Sequence, residues 1–233
     1  DMDIVADAVI KSGVNFITVD PGIFTATVVS KLVPSTKAHK ELNRVLAVIG
    51  TTNAVARGQL EEFLQTQPKT LNIYAETEEF LRSPERREDE IARIVNEVLY
   101  KCQDYEMCTV VGDGIFPAKR ISFKTYMEYY NPTAEGVSKI INDAFAEVTE
   151  KILRGEKSFK GLYTSGGDIT VSVCKRLKVA GLKLVEDVAP LAAHGEMLMG
   201  DFDGLKIITK GGMVGDKYAL KVCMNYLARK INN

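Results

Sequence analysis

Histidine is nearly absent from this chain. Its 233 residues hold two, His39 and His194, far apart in sequence. A zinc site or a Ser-His-Asp triad would have to be built from very little, and neither is expected. Cysteine is sparse as well. Cys102, Cys108, Cys174 and Cys223 include no C-x-x-C pair, and core packing in a reducing cytoplasm is the reading they support. No protein-ligated metal is expected. Long hydrophobic runs are missing too: none approaches the roughly 18 residues of a membrane-spanning helix, so no membrane partner is expected. Neither sign of charge is in excess, with Lys+Arg at 30 and Asp+Glu at 31. No basic field argues for nucleic acid. The opening Asp1-Met2-Asp3-Ile4 has neither the basic nor the apolar region of a signal peptide. It lacks an initiator methionine, and a processed or truncated end is expected.

What is present is an alternation of apolar strands and amphipathic helices. Asp3–Ser12 carries Ile4, Val5, Ala8 and Val9 at helical spacing. Asn15–Val19 reads as a strand ended by the Asp20-Pro21-Gly22 turn, and Phe24–Leu32 as a short helix. Residues 33–43, with Pro34, Ser35 and Thr36, form the linker candidate. Strands are expected at Arg44–Ile49, Thr70–Tyr74, Cys108–Val111 and Leu182–Val185, before two glycine turns, and as a short edge at Glu196–Met199. Helices are expected at Ala54–Gln67, Pro84–Gln103, Ala134–Leu153, about Ile169–Val179 and Asp216–Lys230. The stretch from Ile115 to Asn131 is ambiguous, strand or loop near Tyr126. This alternation predicts an α/β domain, a mostly parallel sheet with helices on both faces. A ligand belongs beyond the carboxyl ends of such strands.

Two glycine turns lie about 45 residues apart, each between an apolar strand and a helix: Thr164-Ser165-Gly166-Gly167-Asp168 and Lys210-Gly211-Gly212-Met213-Val214-Gly215. Such turns aim free backbone N–H groups at one spot, which suits an anion. Glycines let a phosphate approach closely, and Lys210 adds a cation. The alternative is a tight turn in which the glycines serve geometry alone. Asp168 is by default a helix cap, with a ribose or a water-bridged magnesium ion as the other roles. Gly50-Thr51-Thr52-Asn53 is a third such turn, with Asn53 as the natural N-cap. Glu186-Asp187 reads equally as an acidic strand end and a solvated loop. No Gly-Lys-Ser/Thr marks a Walker A loop, and the order G-G-x-x-G is not the dinucleotide fingerprint.

In order and spacing, these residues resemble the C-terminal part of the four-carbon acid sugar kinases. That family carries a strand followed by Gly-Ser, later a Gly-Gly-Asp-Thr turn, and last a Lys-Ser-Gly-Asn-Phe-Gly turn. Here they read Gly50-Thr51, Gly166-Gly167-Asp168-Ile169 and Lys210-Gly211-Gly212-Met213-Val214-Gly215. Val19-Asp20-Pro21-Gly22 is similar to a segment near the end of the family's sugar-binding domain. The resemblance implies a two-domain α/β kinase that uses ATP and Mg2+ to phosphorylate a small tetronate-type sugar acid. It implies a nucleotide site at Thr51, Gly166, Gly167, Asp168, Lys210, Gly211, Gly212 and Gly215, with Asp20 and Gly22 on the substrate side. Residues 1–36 would be the tail of the substrate domain and 37–233 the nucleotide domain. The chain departs at Thr51, Ile169, Gly211, Met213 and Val214, and has no Ala-Asp-Asp-x-Thr-Gly loop. The base for the sugar hydroxyl is then expected outside this chain, which alone would bind nucleotide without transfer. A homo-oligomer stays open. A non-catalytic nucleotide-binding or regulatory module is the alternative, and a Rossmann oxidoreductase is disfavoured by the missing fingerprint.

Overall fold

The computed structural model describes residues 2–20, 22–32, 42–127 and 133–232, which divide into two compact units, residues 1–41 and 42–233. In the first, α1 (Met2–Lys11) and α2 (Ile23–Leu32) are the expected helices. Lys31 bridges back to Asp7 at 2.8 Å and Asp3 at 3.4 Å. The strand expected at Asn15–Val19 does not form among the described residues. Ile17 and Val19 are 91% and 94% exposed. A strand needs a neighbour to take its N–H and C=O groups, and none of the residues described in this unit supplies one. Of the expected linker, residues 33–41 lie outside the described residues, as does His39.

Residues 42–233 are organised by a seven-stranded sheet. Its strands are β1 (Arg44–Ile49), β2 (Thr70–Ala75), β3 (Met107–Gly112), β4 (Phe159–Ser165), β5 (Gly181–Ala189), β6 (Ala192–Leu198) and β7 (Lys206–Lys210). They stand in the order β2-β3-β1-β4-β7-β6-β5. The first five are mutually parallel, β6 runs antiparallel to β7, and β5 antiparallel to β6. Every residue of β1 and β3 is buried, as strands covered on both faces require.

One face carries α4 (Glu79–Arg82), α5 (Pro84–Lys101), α7 (Ala134–Gly155) and α8 (Gly167–Arg176), packed through residues such as Leu46, Ile94, Phe145 and Leu162. The other carries α3 (Ala54–Thr66) and α9 (Ala219–Asn232), around Ile49, Phe63, Tyr163 and Leu227. The helices begin where their caps dictate. Asn53 Oδ1 accepts Val55 N–H at 2.8 Å, Ser83 caps α5 with Pro84 behind it, and Thr133 caps α7. The ambiguous stretch resolves in part: Tyr126 lies in a short helix, α6 (Phe123–Met127), while residues 128–132 are outside the described residues.

Three expectations are corrected. The segment near Glu196 is not an edge: β6 lies between β7 and β5, and the longer β5 is the edge. Glu186 and Asp187 do not end a strand but sit inside β5. Helix α8 starts at Gly167, two residues before the first apolar position that marked it.

The connections position the site. Helix α3 leaves β1 toward one face, and α8 leaves the adjacent β4 toward the other. The winding therefore reverses between β1 and β4, and a crevice opens beyond their carboxyl ends.

Candidate functional site

The three glycine turns follow β1, β4 and β7, which are neighbours in the sheet. Parallel pairing brings their ends level: Ile49 pairs with Ser165, and Ser165 with Lys210. Backbone bonds continue the register past the strands, Gly50 N to Ser165 O at 3.4 Å and Gly166 N to Lys210 O at 3.1 Å.

A cavity of about 450 Å³ opens there, on the α7 and α8 side. Its floor is Gly50, Thr51, Gly112, Gly166 and Gly167, with Asp168 at the rim. Gly166 is the N-cap of α8 at φ +113°, and no side chain caps that helix. The first-turn N–H groups of α8 are thus left for another acceptor. A Cβ on Gly167 would meet nothing within 4 Å, so the backbone is open to the cavity. At Gly50, in contrast, a Cβ would overlap the Ile169 side chain. Asp168 is not the cap it was expected to be. Its exposed carboxylate has no hydrogen-bond or ion-pair partner among the described residues. The Thr170 hydroxyl is engaged with Thr164 and with Gly166 O.

The β7 turn sits on the other side of Thr51. A Cβ on Gly212 would overlap the Thr51 side chain, so these two turns pack directly on one another. Gly211 is exposed, but its N–H donates to Leu191 O at 3.4 Å. Gly215 has φ +86°, and a Cβ there would lie 2.8 Å from the Ala219 Cβ. Lys210 is buried beneath this turn, its ammonium donating to Gly211 O at 2.9 Å. Burial pushes its pKa below that of an ordinary lysine, and no carboxylate faces it among the described residues. The structure therefore gathers Thr51, Gly166, Gly167 and Asp168 around one cavity, with Gly212 against Thr51 and Lys210 and Gly215 below. Asp20 and Gly22 belong to the other unit. There the Asp20 carboxylate accepts the Gly22 and Phe24 N–H groups at 3.1 and 2.6 Å, closing the start of α2. The Thr25 hydroxyl, and after it these backbone N–H groups, lower its pKa.

Four participants were not read from the sequence. Gln59, buried on α3, donates to the carbonyls of Val214, Gly215 and Asp216 and ties down the β7 turn. A polar residue among Ala56, Leu60 and Phe63 on the inward face was the available signal. Arg120 lines the cavity and donates to Thr52 O at 2.6 Å. Asn142 and Thr77 line it too. Thr77 Oγ1 is buried without a partner.

The fold and site define a nucleotide-binding α/β domain, and comparison with known proteins agrees. A family model described as a nucleotide-binding C-terminal domain matches residues 46–220. The chain is 34% identical over its whole length to a D-erythronate kinase of Heliobacterium modesticaldum, and spans 52% of that relative. Among solved structures, a protein of Bordetella bronchiseptica carrying a domain of unknown function superposes with a TM-score of 0.64 at 17% identity, over 82% of this chain and 41% of that one. It was crystallised with citrate as a domain-swapped dimer. A Haemophilus influenzae protein of the same family superposes with a TM-score of 0.61 at 15% identity, over 79% and 40%. These two establish the fold alone. The chain belongs to the four-carbon acid sugar kinase family, through its nucleotide-binding C-terminal domain.

Proposed function

We propose that this chain is the nucleotide-binding part of an ATP-dependent kinase that phosphorylates a tetronate-type four-carbon sugar acid. The observation that carries the reading is the convergence of three glycine turns at the switch point of a doubly wound sheet, two of them lining a cavity of about 450 Å³ and the third packed against Thr51. The relative called a D-erythronate kinase makes D-erythronate the first substrate to test. In this reading residues 37–233 are the nucleotide domain, and residues 1–36 are the tail of the substrate domain, with Asp20 and Gly22 on the sugar-acid side. The protein works in the cytoplasm. A homo-oligomer is part of the reading, in keeping with the domain-swapped dimer described for the Bordetella protein.

The residues fit the phosphates of a nucleotide. The uncapped N–H groups of α8 and the open face of Gly167 suit phosphate oxygens. The β7 turn, including Gly211 and Gly212, lies beside them, with Gly215 at its base. Lys210 adds positive charge from below, in surroundings where its ammonium has little water to screen it. Asp168 has a free carboxylate suited to holding magnesium through water. Magnesium-bound ATP supplies the transferable phosphoryl group. Thr51, Gly167, Lys210 and Asp168 would orient it and offset its charge, which is most of what phosphoryl transfer asks of a protein. The base for the sugar hydroxyl lies outside this chain, which alone binds without transferring.

A calorimetric titration with ATP, with and without magnesium, tests the nucleotide reading, with Gly212→Val as control. Saturable binding that the variant loses supports it; a folded wild type that binds no ATP removes it. Phosphate transfer to D-erythronate by the full-length protein separates the kinase from a non-catalytic nucleotide-binding module.

A further inference from the structure

The cavity has two unlike ends. At the strand ends it is backbone and hydroxyl: Gly50, Thr51, Gly166 and Gly167. Phe145 marks that level, since a Cβ on Gly112 would lie 3.2 Å from its ring. Toward its N-terminus, helix α7 lines the cavity with Ile141 and Asn142, one turn before Phe145, and with Ser138 a further turn back. From Phe145 to Ser138 is about two turns, ~10 Å, the depth a nucleoside needs beyond its phosphates. Half-buried Ile121 and Phe123 line the cavity as well. The Arg120 bond to Thr52 O ties their segment to the β1 turn.

This outer end carries apolar surface, the Ser138 hydroxyl and a single carboxamide. Asn142 Nδ2 makes one long bond, 3.4 Å, to Ser138 Oγ, and the amide has no other partner among the described residues. Arg120 and Asp168 are the only charged side chains lining the cavity among the described residues. A flat ring between an aromatic and an aliphatic wall, read by a group that both donates and accepts, is what a purine base requires. Adenine presents an amino donor beside a ring-nitrogen acceptor, the pair a carboxamide matches in a bidentate way.

We propose that the outer end of this cavity is the base subsite, with Ile121 and Phe123 covering one face of the ring and Ile141 the other. Asn142 is the residue that hydrogen-bonds the edge of the base. The proposal rests on the nucleotide reading of the site.

The test is a titration of the full-length protein with ATP, GTP and inorganic tripolyphosphate. Tripolyphosphate carries the phosphates without a base. Asn142→Leu should weaken ATP about tenfold, or 1.4 kcal/mol, and leave tripolyphosphate unchanged. Asn142→Asp, which can only accept, should move preference toward GTP, whose base offers adjacent N–H donors. Thermal melts of both variants keep misfolding separate from recognition. An ATP affinity untouched by either folded variant overturns the proposal. So does a loss shared equally by ATP and tripolyphosphate, which would make Asn142 a structural support. If the wild type binds neither ATP nor tripolyphosphate, the nucleotide reading itself fails.

Discussion

The β4 and β7 turns look alike in sequence, a glycine pair between strand and helix, yet the chain uses them differently. After β4 the glycines leave space: Gly167 faces open cavity, and α8 begins uncapped. After β7 the space is already filled. Gly212 is pressed against Thr51, Gly215 against Ala219, Gln59 holds three carbonyls, and Lys210 lies underneath. Around the first pair a side chain would find room. In the second, Thr51 leaves no room for a side chain at Gly212. The same residue type thus borders open space in one turn and permits close packing in the other.

Substitutions can break this contrast. Gly212→Val should have the largest effect, because its side chain must displace Thr51. A loss of about 1–3 kcal/mol in urea unfolding is expected, together with loss of ATP binding. A variant as stable as wild type would mean that the β7 turn can move aside. Gly215→Ala comes next, combining the positive φ with a contact at 2.8 Å to the Ala219 Cβ. A cost of about 1–3 kcal/mol is expected, read as a lower melting temperature. Gly167→Ala should behave in the opposite way. It begins a helix in open space, so stability should rise by about 0.4–1 kcal/mol, while ATP affinity falls about tenfold as the new methyl enters the cavity. If stability and affinity fell together, the two turns would not differ as described.

The smallest effect belongs to the antiparallel edge, where β6 lies between β7 and β5. His194 on β6 is buried, and its Nε2 has no partner. Burial, then Lys206 of β7 and Lys230 of α9, push its pKa down, against a weaker opposing pull from Glu186 of β5 and Glu196 of β6. Tyr226 OH lies 3.2 Å from its Nδ1. A lowered native pKa means that the unfolded chain takes up the proton first. This contribution to stability is present above about pH 6.5, the unfolded histidine value, and is lost as the pH falls toward the lower native value. Urea midpoints between pH 7.5 and 5 should drop less steeply in His194→Gln. An unchanged slope would assign the pH dependence to other groups.

Much of the fold was legible because burial on both faces leaves a strong mark. Val45–Ile49 is a continuous apolar run, and the strand expected at Arg44–Ile49 is β1 residue for residue. Asn53, Ser83 and Thr133 sit where their side-chain oxygens satisfy helix N–H groups, and those helices begin as expected. Asn15–Val19 carries an equally strand-like composition, yet it finds no strand to pair with among the described residues. The edge role assigned near Glu196 belongs to β5, because strand order is a property of the whole sheet rather than of a segment. At the site, the glycines announced themselves. Arg120, Asn142 and Thr77 did not, since each is an ordinary polar residue until the fold turns it toward the cavity.

By itself the sequence determined the alternation of elements, the capped starts of α3, α5 and α7 and the three glycine turns, because periodicity, capping and backbone freedom act within a few residues of one another. Only the tertiary structure decided that β1, β4 and β7 lie side by side, that one glycine pair is open and the other packed, and that an asparagine on α7 faces the same cavity as Gly167. Those are relations between residues far apart in sequence, such as Thr51 and Gly212. They depend on how strands are ordered and which face each helix covers, choices made by the burial of the whole core.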